Sequence, residues 1–341
     1  MKQILLMLLL GASFALVQDS HARALDYSRD RFNEQKFAQL GDEYLAEVTE
    51  LDLSNNNLTD FPAVLHRMPN LQKLFLNDNK IGSFKGMPAF TNLEYLMLNS
   101  NLLGSFEDMP ALSKLQHLFL NGNKISSFGS MPVLTRLKML WLSKNQIHSF
   151  KDMPALRNLQ LLSLNSNQID SFENMRTFPN LQKLLLNYNQ IHSFKDMPEF
   201  RNLQLLSLNS NQIGSFENML TFSNLQKLLL NYNQIHSFKD MPAFPNLQKL
   251  FLNGNKIGSF EGMATLPNLQ ELSLTSNLLE SFEGMPVLSN LQYLSIPDNK
   301  LGSFEGMPNL INLKNLWILN NNINKAAINT WKQEHQYVAV R

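Results

Sequence analysis

The stretch NLQKLFLNGNKIGSFEGM, residues 246–263, decides the architecture of the chain. Its spacing of leucine, asparagine, isoleucine, phenylalanine and methionine returns at a fixed period from near Val48 onward. A coil of this size can bury its apolar side only against a neighbouring coil, so the period predicts a repeat solenoid of about 13 coils. The asparagine position marks the period, with a first interval of 23 residues and later intervals of 22: Asn56, Asn79, Asn101, Asn123, Asn145, Asn167, Asn189, Asn211, Asn233, Asn255, Asn277, Asn299 and Asn321.

Each coil contains a segment L-x-L in which leucines alternate with other residues. This alternation predicts a short strand whose leucines face the core, and successive coils would join these strands in one parallel sheet. The asparagine follows the strand, where its amide can satisfy backbone groups of adjacent coils. The phenylalanine and methionine positions are predicted to form two core ladders in the other half of each coil. The predicted fold class is an α/β repeat solenoid with a parallel β-sheet on the concave face and short 3-10 or irregular turns on the convex face.

The repeat L-x-x-L-x-x-L-x-L-x-x-N-x-I resembles the leucine-rich repeats of the bacterial internalins and of the SDS22-like proteins that regulate phosphatases. The resemblance covers residues 48–323. This chain carries phenylalanine and methionine where those families mostly carry isoleucine and leucine. The resemblance implies a horseshoe whose concave face binds a protein, and it does not transfer a particular ligand.

Residues 1–22 have the three parts of a secretory signal peptide. Lys2 supplies the positive start, residues 4–17 form the apolar run, and Ser20 and Ala22 frame a small-x-small cleavage site. The alternative is a membrane anchor, but a run of about 14 apolar residues is short against the roughly 20 that span a bilayer. We therefore expect an exported protein, secreted, periplasmic or at the cell surface, without membrane insertion after cleavage.

The repeats are flanked by two short segments that are predicted to cover the open ends of the solenoid. Residues 23–47 have apolar residues at loose helical spacing, which favours one or two short helices in an N-terminal helical cap. Residues 324–341 follow the last repeat and form the predicted C-terminal cap. Within it, residues 326–336 suit an amphipathic helix with Ile328 and Trp331 facing the core.

Composition and motifs argue against several functions. The net charge of +1 gives no reason to expect nucleic acid as a partner, and the absence of cysteine excludes thiol catalysis and cysteine metal sites. No nucleophile triad, phosphate-binding glycine loop or H-E-x-x-H motif is present. His148, His192 and His236 share one position but lie two coils apart, about 10 Å, too far to bind one metal ion together. We expect no enzyme activity, no metal and no cofactor.

The outward strand positions are the best candidates for binding. Four successive coils carry large apolar residues there, and aromatic residues with methionine are typical of the cores of protein interfaces. The alternative is cross-strand packing that only shields the sheet. The predicted concave binding residues are Phe75, Tyr95, Met97, His117, Phe119, Trp141, Leu185, Leu229, Phe251 and Trp317.

The sequence therefore favours an exported, non-enzymatic protein that binds a protein partner and is itself a monomer. The internalin resemblance implies a host-directed role. Two alternatives remain at this stage. One is a regulatory subunit of a phosphatase or similar enzyme, as the resemblance to SDS22-like proteins implies. The other is a structural protein of the cell envelope.

Overall fold

The computed structural model describes residues 23–29 and 32–341, so the predicted signal peptide lies outside the described part of the chain. Fifteen strands form one parallel sheet, in which every strand pairs with its neighbours in sequence order. This order confirms the predicted parallel solenoid. The strands are β1 (Arg23–Asp26), β2 (Val48–Asp52), β3 (Lys73–Phe75), β4 (Tyr95–Met97), β5 (His117–Phe119), β6 (Met139–Trp141), β7 (Leu161–Ser163), β8 (Lys183–Leu185), β9 (Leu205–Ser207), β10 (Lys227–Leu229), β11 (Lys249–Phe251), β12 (Glu271–Ser273), β13 (Tyr293–Ser295), β14 (Asn315–Trp317) and β15 (Ala339–Val340).

The register of the sheet aligns the middle leucine of every repeat strand with the middle leucine of the next strand. Leu74 pairs with Leu96, and Leu96 pairs with Leu118. All three are fully buried, while the residues on either side of them in the strand are partly exposed. A strand of three residues therefore buries its middle residue in the core and presents the other two on the concave face.

The phenylalanine ladder explains why the solenoid curves. The ring of Phe84 stacks on that of Phe106 with their centroids 6.4 Å apart, and Phe260 stacks on Phe282 at 6.1 Å. Strands in a sheet are only about 4.8 Å apart. Because each coil is thicker at its phenylalanine than at its strand, the stack bends with the sheet on the inner surface. The predicted aromatic ladder is confirmed, and methionines such as Met153 are buried beside it.

From Phe84 onward, the residue two positions after each ladder phenylalanine makes a tight turn on the convex side. Asp152 and Asn174 adopt φ values of 63° and 62°, in the left-handed region. Gly306 has a φ of 77°, and a Cβ atom there would lie 2.9 Å from the backbone nitrogen of Glu283 in the preceding coil. Glycine, asparagine and aspartate tolerate this conformation better than other residues, which explains their frequency at this position.

The buried asparagines link each coil to its neighbours. Asn101 donates from Nδ2 to the carbonyl oxygens of Leu76, at 2.8 Å, and Leu98, at 3.2 Å. Its Oδ1 accepts the backbone N–H of Ile81 at 3.0 Å. A buried backbone group without a partner is costly, and one amide here serves groups from two coils. The predicted role of the asparagine is confirmed.

A second asparagine ladder, which the sequence analysis did not single out, runs along an exposed edge. Asn180 Nδ2 donates to the carbonyl oxygen of Arg157 at 3.0 Å, and Asn246 Nδ2 donates to that of Ser223 at 2.8 Å. These are the asparagines of the repeated N-L-Q segment. They tie exposed turns of adjacent coils together.

The N-terminal segment contains two short helices, α1 (Glu34–Ala38) and α2 (Asp42–Ala46), after strand β1. The strand was not predicted. Its backbone continues the sheet, and the N–H of Tyr27 donates to the carbonyl oxygen of Asp52 at 2.8 Å. A 3-10 helix in the first repeat, Ala63–Arg67, contacts both α-helices, since Arg67 pairs with Asp42 at 2.6 Å and also donates to the carbonyl oxygen of Ala38.

The C-terminal segment contains helix α3 (Lys325–Glu334) and strand β15. Asn324 caps the helix, because its Oδ1 accepts the N–H of Ala327 at 2.8 Å. Trp331, on the inner side of α3, is buried against the last coil. Over residues 23–29 and 32–341, no helix is both long and apolar enough to cross a bilayer.

Candidate functional site

Four adjacent strands bring six of the predicted binding residues together on the concave face. The sheet register aligns Phe75 with Met97, Met97 with Phe119, and Phe119 with Trp141. Beside this row, the ring of Tyr95 stacks on that of His117 with centroids 4.3 Å apart. All six side chains are partly exposed. We call this group the concave aromatic cluster: Phe75, Tyr95, Met97, His117, Phe119 and Trp141.

Trp141 forms the C-terminal end of the cluster. Its indole stacks on the ring of Phe119 with centroids 6.1 Å apart. Its Nε1 is buried, and among the described residues it has no hydrogen-bond partner. A buried donor without an acceptor costs about 1–3 kcal/mol. The cluster therefore contains both a large apolar surface and a polar group that is not satisfied within the described chain.

The surroundings of His117 shift the pKa of its imidazole. Burial lowers its pKa below the ordinary value of 6.5, and the positive charge of Lys138 lowers it further. Glu94 acts in the opposite direction, with a smaller effect. The imidazole is therefore neutral at pH 7, and the cluster can dock an apolar surface without desolvating a cation at this position.

The other four predicted residues do not join the cluster. Leu185 and Leu229 project from β8 and β10, and between them lies Ser207, which is only 2% exposed. Phe251 follows Leu229 on the next strand. Trp317 lies at the far end of the sheet, where it stacks on Tyr293 with centroids 6.3 Å apart. The ten predicted residues thus fall into an N-terminal cluster, a middle row and a distal aromatic pair.

The asparagines at the ends of the strands have a structural role. Asn187 Oδ1 accepts the backbone N–H of Asn209 at 2.8 Å, and Asn209 Oδ1 accepts that of Asn231 at 2.8 Å. Asn187 Oδ1 also accepts the hydroxyl of Ser207 at 2.6 Å. This row fixes one margin of the concave face.

The lysines of the concave face differ in whether they are paired. Lys73 forms an ion pair with Glu50 at 3.0 Å, and Lys249 forms one with Glu271 at 2.5 Å. Lys183 and Lys227 are exposed, and neither forms an ion pair with any described residue. The middle of the concave face therefore carries two uncompensated positive charges.

Two exposed tyrosines lie just after the strands, and the sequence analysis did not single them out. Tyr188 and Tyr232 are 62% and 66% exposed. Their φ angles of 57° and 56° are in the left-handed region, which costs about 1–2 kcal/mol for a residue with a side chain. The other coils mostly carry small or polar residues at this position: Asn55, Asp78, Ser100, Gly122, Lys144, Ser166, Ser210, Gly254, Ser276, Asp298 and Asn320. That contrast is visible in the sequence and could have identified both tyrosines.

The described part of the chain gives no sign of a metal centre. Over residues 23–29 and 32–341, no three histidine, aspartate or glutamate residues are close enough to hold a metal ion. His148, His192 and His236 are all exposed at the start of the convex half. The concave surface is the part of the described molecule with the strongest concentration of exposed aromatic residues.

Comparison with known proteins agrees with the repeat pattern. A family model described as Leucine Rich repeats (2 copies) matches residues 47–90, 135–177, 223–264 and 245–286. No curated protein matches the chain. Apart from residue 47, the matched segments lie within residues 48–323, where the sequence predicted repeats.

Solved structures with the same fold extend over nearly the whole chain. A leucine-rich repeat protein of Leptospira interrogans is 26% identical, with a TM-score of 0.74, covering 94% of this chain and 89% of that one. Internalin InlF of Listeria monocytogenes is 21% identical, with a TM-score of 0.75, covering 90% and 92%. A chain of the LRIM1/APL1C complex is 20% identical, with a TM-score of 0.71, covering 88% and 58%. The predicted horseshoe and its likeness to internalins are confirmed.

Proposed function

Because the chain belongs to the leucine-rich repeat proteins, with repeats of 22 residues, we propose that it is a non-enzymatic binding protein that recognises another protein with its concave face. The concave aromatic cluster is the main anchor in this proposal. One observation carries it: six aromatic, methionine and histidine side chains remain partly exposed on four adjacent strands. Large apolar groups gathered on a surface are unfavourable in water and are typical of interfaces.

The internal packing of the cluster supports this role. Tyr95 stacks on His117, and Phe119 stacks on Trp141, so the rings are held in place before a partner arrives. Rigid aromatic side chains lose little conformational entropy on binding. The Nε1 of Trp141 has no acceptor among the described residues, so the cluster keeps one hydrogen-bond donor that the described chain does not use.

The proposal includes export, on the basis of residues 1–22. This part is tested by expressing the full chain with a C-terminal tag in a bacterium and sequencing the N-terminus of the product. Cleavage after Ala22 gives a mature protein that begins at Arg23. A product that retains the first 22 residues in the cytoplasm would contradict export and favour an intracellular regulatory subunit.

The binding proposal is tested by partner capture. The purified protein and a Phe119→Ser/Trp141→Ser variant are immobilised side by side and exposed to extracts of the source organism and of a host. Equal melting temperatures of the two preparations are a precondition. A protein retained by the wild type and lost by the variant supports the proposed face. A partner retained equally by both would place recognition elsewhere on the molecule.

A further inference from the structure

The middle of the solenoid contains two nearly identical copies of the same pair of coils. Residues 159–200 and 203–244 have the same sequence except at four positions, where Asp170, Arg176, Pro179 and Glu199 are replaced by Gly214, Leu220, Ser223 and Ala243. None of these four positions lies in a strand. The concave surface of the first copy therefore returns unchanged two coils later.

Each copy contributes a lysine, a leucine and a tyrosine. Leu185 and Leu229 flank the buried Ser207, so together they form a shallow apolar floor over strands β8, β9 and β10. Lys183 and Lys227 lie on one side of this floor, two residues before each leucine. Tyr188 and Tyr232 lie on the other side, three residues after it. We call this surface the middle groove: Lys183, Leu185, Tyr188, Ser207, Lys227, Leu229 and Tyr232.

The tyrosines are placed to stack on a ligand. The ring of Tyr232 lies against the next coil, where a Cβ atom at Gly254 would be 2.6 Å from its Cδ1. One side of the ring thus rests on a glycine, while 66% of the residue remains exposed. Both tyrosines hold an unfavourable backbone conformation that serine adopts at the same position in other coils, for example Ser210. The same turn occurs in every coil with small or polar residues such as Ser210, so the turn itself does not require a tyrosine.

The spacing of the two copies selects the shape of a ligand. Two coils of a parallel sheet are about 10 Å apart on the concave side. A polyproline II helix has three residues per turn and a rise of about 3.1 Å per residue, so every third residue returns to the same side after about 9 Å. In an extended β-strand, by contrast, residues three apart point to opposite sides. The two copies therefore match residues i and i+3 of a polyproline II helix.

We propose that the middle groove binds a polyproline II segment of a protein partner with an acidic residue at every third position. The carboxylates face Lys183 and Lys227, which have no acidic partner among the described residues. Prolines face Tyr188 and Tyr232, in the way that aromatic grooves recognise proline-rich segments. This inference rests on the proposed function, protein recognition by the concave face, but it uses different coils from the concave aromatic cluster.

The test uses a fluorescent peptide of repeated Glu-Pro-Pro triplets and the full purified protein, with binding followed by fluorescence anisotropy. We expect saturable binding that weakens with added salt. Tyr188→Ser/Tyr232→Ser and Lys183→Ala/Lys227→Ala should each weaken binding by about tenfold or more. Serine occurs at the tyrosine position in other coils, so the first variant should fold at least as well as the wild type.

Matched controls separate this inference from the proposed function. Trp141→Ser should leave peptide binding unchanged, because the cluster lies on other strands. A Lys-Pro-Pro peptide tests the charge, and a Glu-Gly-Gly peptide with the same charge tests the polyproline II conformation. No binding of the Glu-Pro-Pro peptide, binding of either control peptide as tight as that of Glu-Pro-Pro, or wild-type affinity in either double variant would overturn the inference. Partner capture that depends on Phe119 and Trp141 would still support the proposed function in each of these cases.

Discussion

Trp331 stacks on Phe304 with ring centroids 5.1 Å apart and an angle of 21° between the planes. Phe304 is the last phenylalanine of the core ladder and stacks on Phe282 at 6.3 Å. A tryptophan from helix α3 therefore continues the ladder after the repeats have ended. The open end of the aromatic core is closed by a residue of the same kind as those that fill it, which is how the cap protects apolar surface from water.

Removing this indole should destabilise the distal coils. Trp331 is 8% exposed, and truncating a buried tryptophan to alanine costs about 3–5 kcal/mol. We expect Trp331→Ala to lower the free energy of unfolding by about that amount and to speed amide exchange in residues 310–341. Tyr337→Ala, at a residue that is 62% exposed, serves as the control and should change little. Equal effects of the two substitutions would show that the stack is not what closes the core.

Substituting an asparagine of the buried ladder should lower the free energy of unfolding more than substituting one of the exposed ladder. Asn189 Oδ1 accepts the N–H of Ile169 at 3.0 Å, and Asn189→Ala leaves that buried N–H without its acceptor. The expected cost is about 1–3 kcal/mol, measured by denaturant unfolding. Asn180→Ala removes only one exposed hydrogen bond, to the carbonyl oxygen of Arg157, and should cost less than about 1 kcal/mol. A larger loss for Asn180→Ala would reverse the roles assigned to the two ladders.

Two glycines should respond differently to the same substitution. Gly306 has a φ of 77°, and a Cβ atom would meet the backbone of Glu283, so Gly306→Ala should destabilise the protein by at least about 1–2 kcal/mol. Gly258 has no atom within 4 Å of the position of a Cβ, and its φ is not in the left-handed region. Gly258→Ala should therefore leave the melting temperature unchanged or slightly higher. Equal destabilisation by both would mean that the turn at Gly306 can relax.

The concave aromatic cluster should respond to acid through His117. Its pKa in the folded protein is below the ordinary value of 6.5, so the unfolded chain binds more protons as the pH falls past 6.5. The stabilisation from neutral His117 is complete above about pH 6.5 and is lost as the pH falls through the folded pKa. The measurement is the difference in unfolding free energy between the wild type and His117→Gln at about pH 7.5 and pH 5.5. The wild type should lose more stability than the variant on acidification, and parallel curves would rule out this role for the histidine.

The sequence predicted the features that repeat. One period accounts for the strands, the buried leucines, the phenylalanine ladder and the amide role of residues such as Asn101. Every coil buries the same positions against its neighbours, so a feature recognised in one coil applies to all. The concave aromatic cluster could be located as well, since period-two alternation identifies the outward positions of β3 to β6. Whether that cluster binds a protein stays a prediction.

The features that the sequence did not predict depend on single positions. Strand β1 joins the sheet because the backbone of residues 23–26 finds an unpaired edge at β2, and its short sequence carries no repeat motif. The left-handed conformation of Tyr188 and Tyr232 is imposed by the turn, against the preference of the residue itself.

Each coil is thicker at its phenylalanine than at its strand, and this difference affects which partners can reach two separate sites on the concave face. Every added pair of coils lengthens the inner surface by about 10 Å and turns the chain by the same further angle. Trp141 of the concave aromatic cluster lies on β6 and Trp317 of the distal pair lies on β14, so eight steps, or about 38 Å along the sheet, separate the two tryptophans. A chain that touches both gains the high local concentration of a tethered ligand, but only if its own contact points are set that far apart. The number of coils thus sets the distance that a bivalent partner must span.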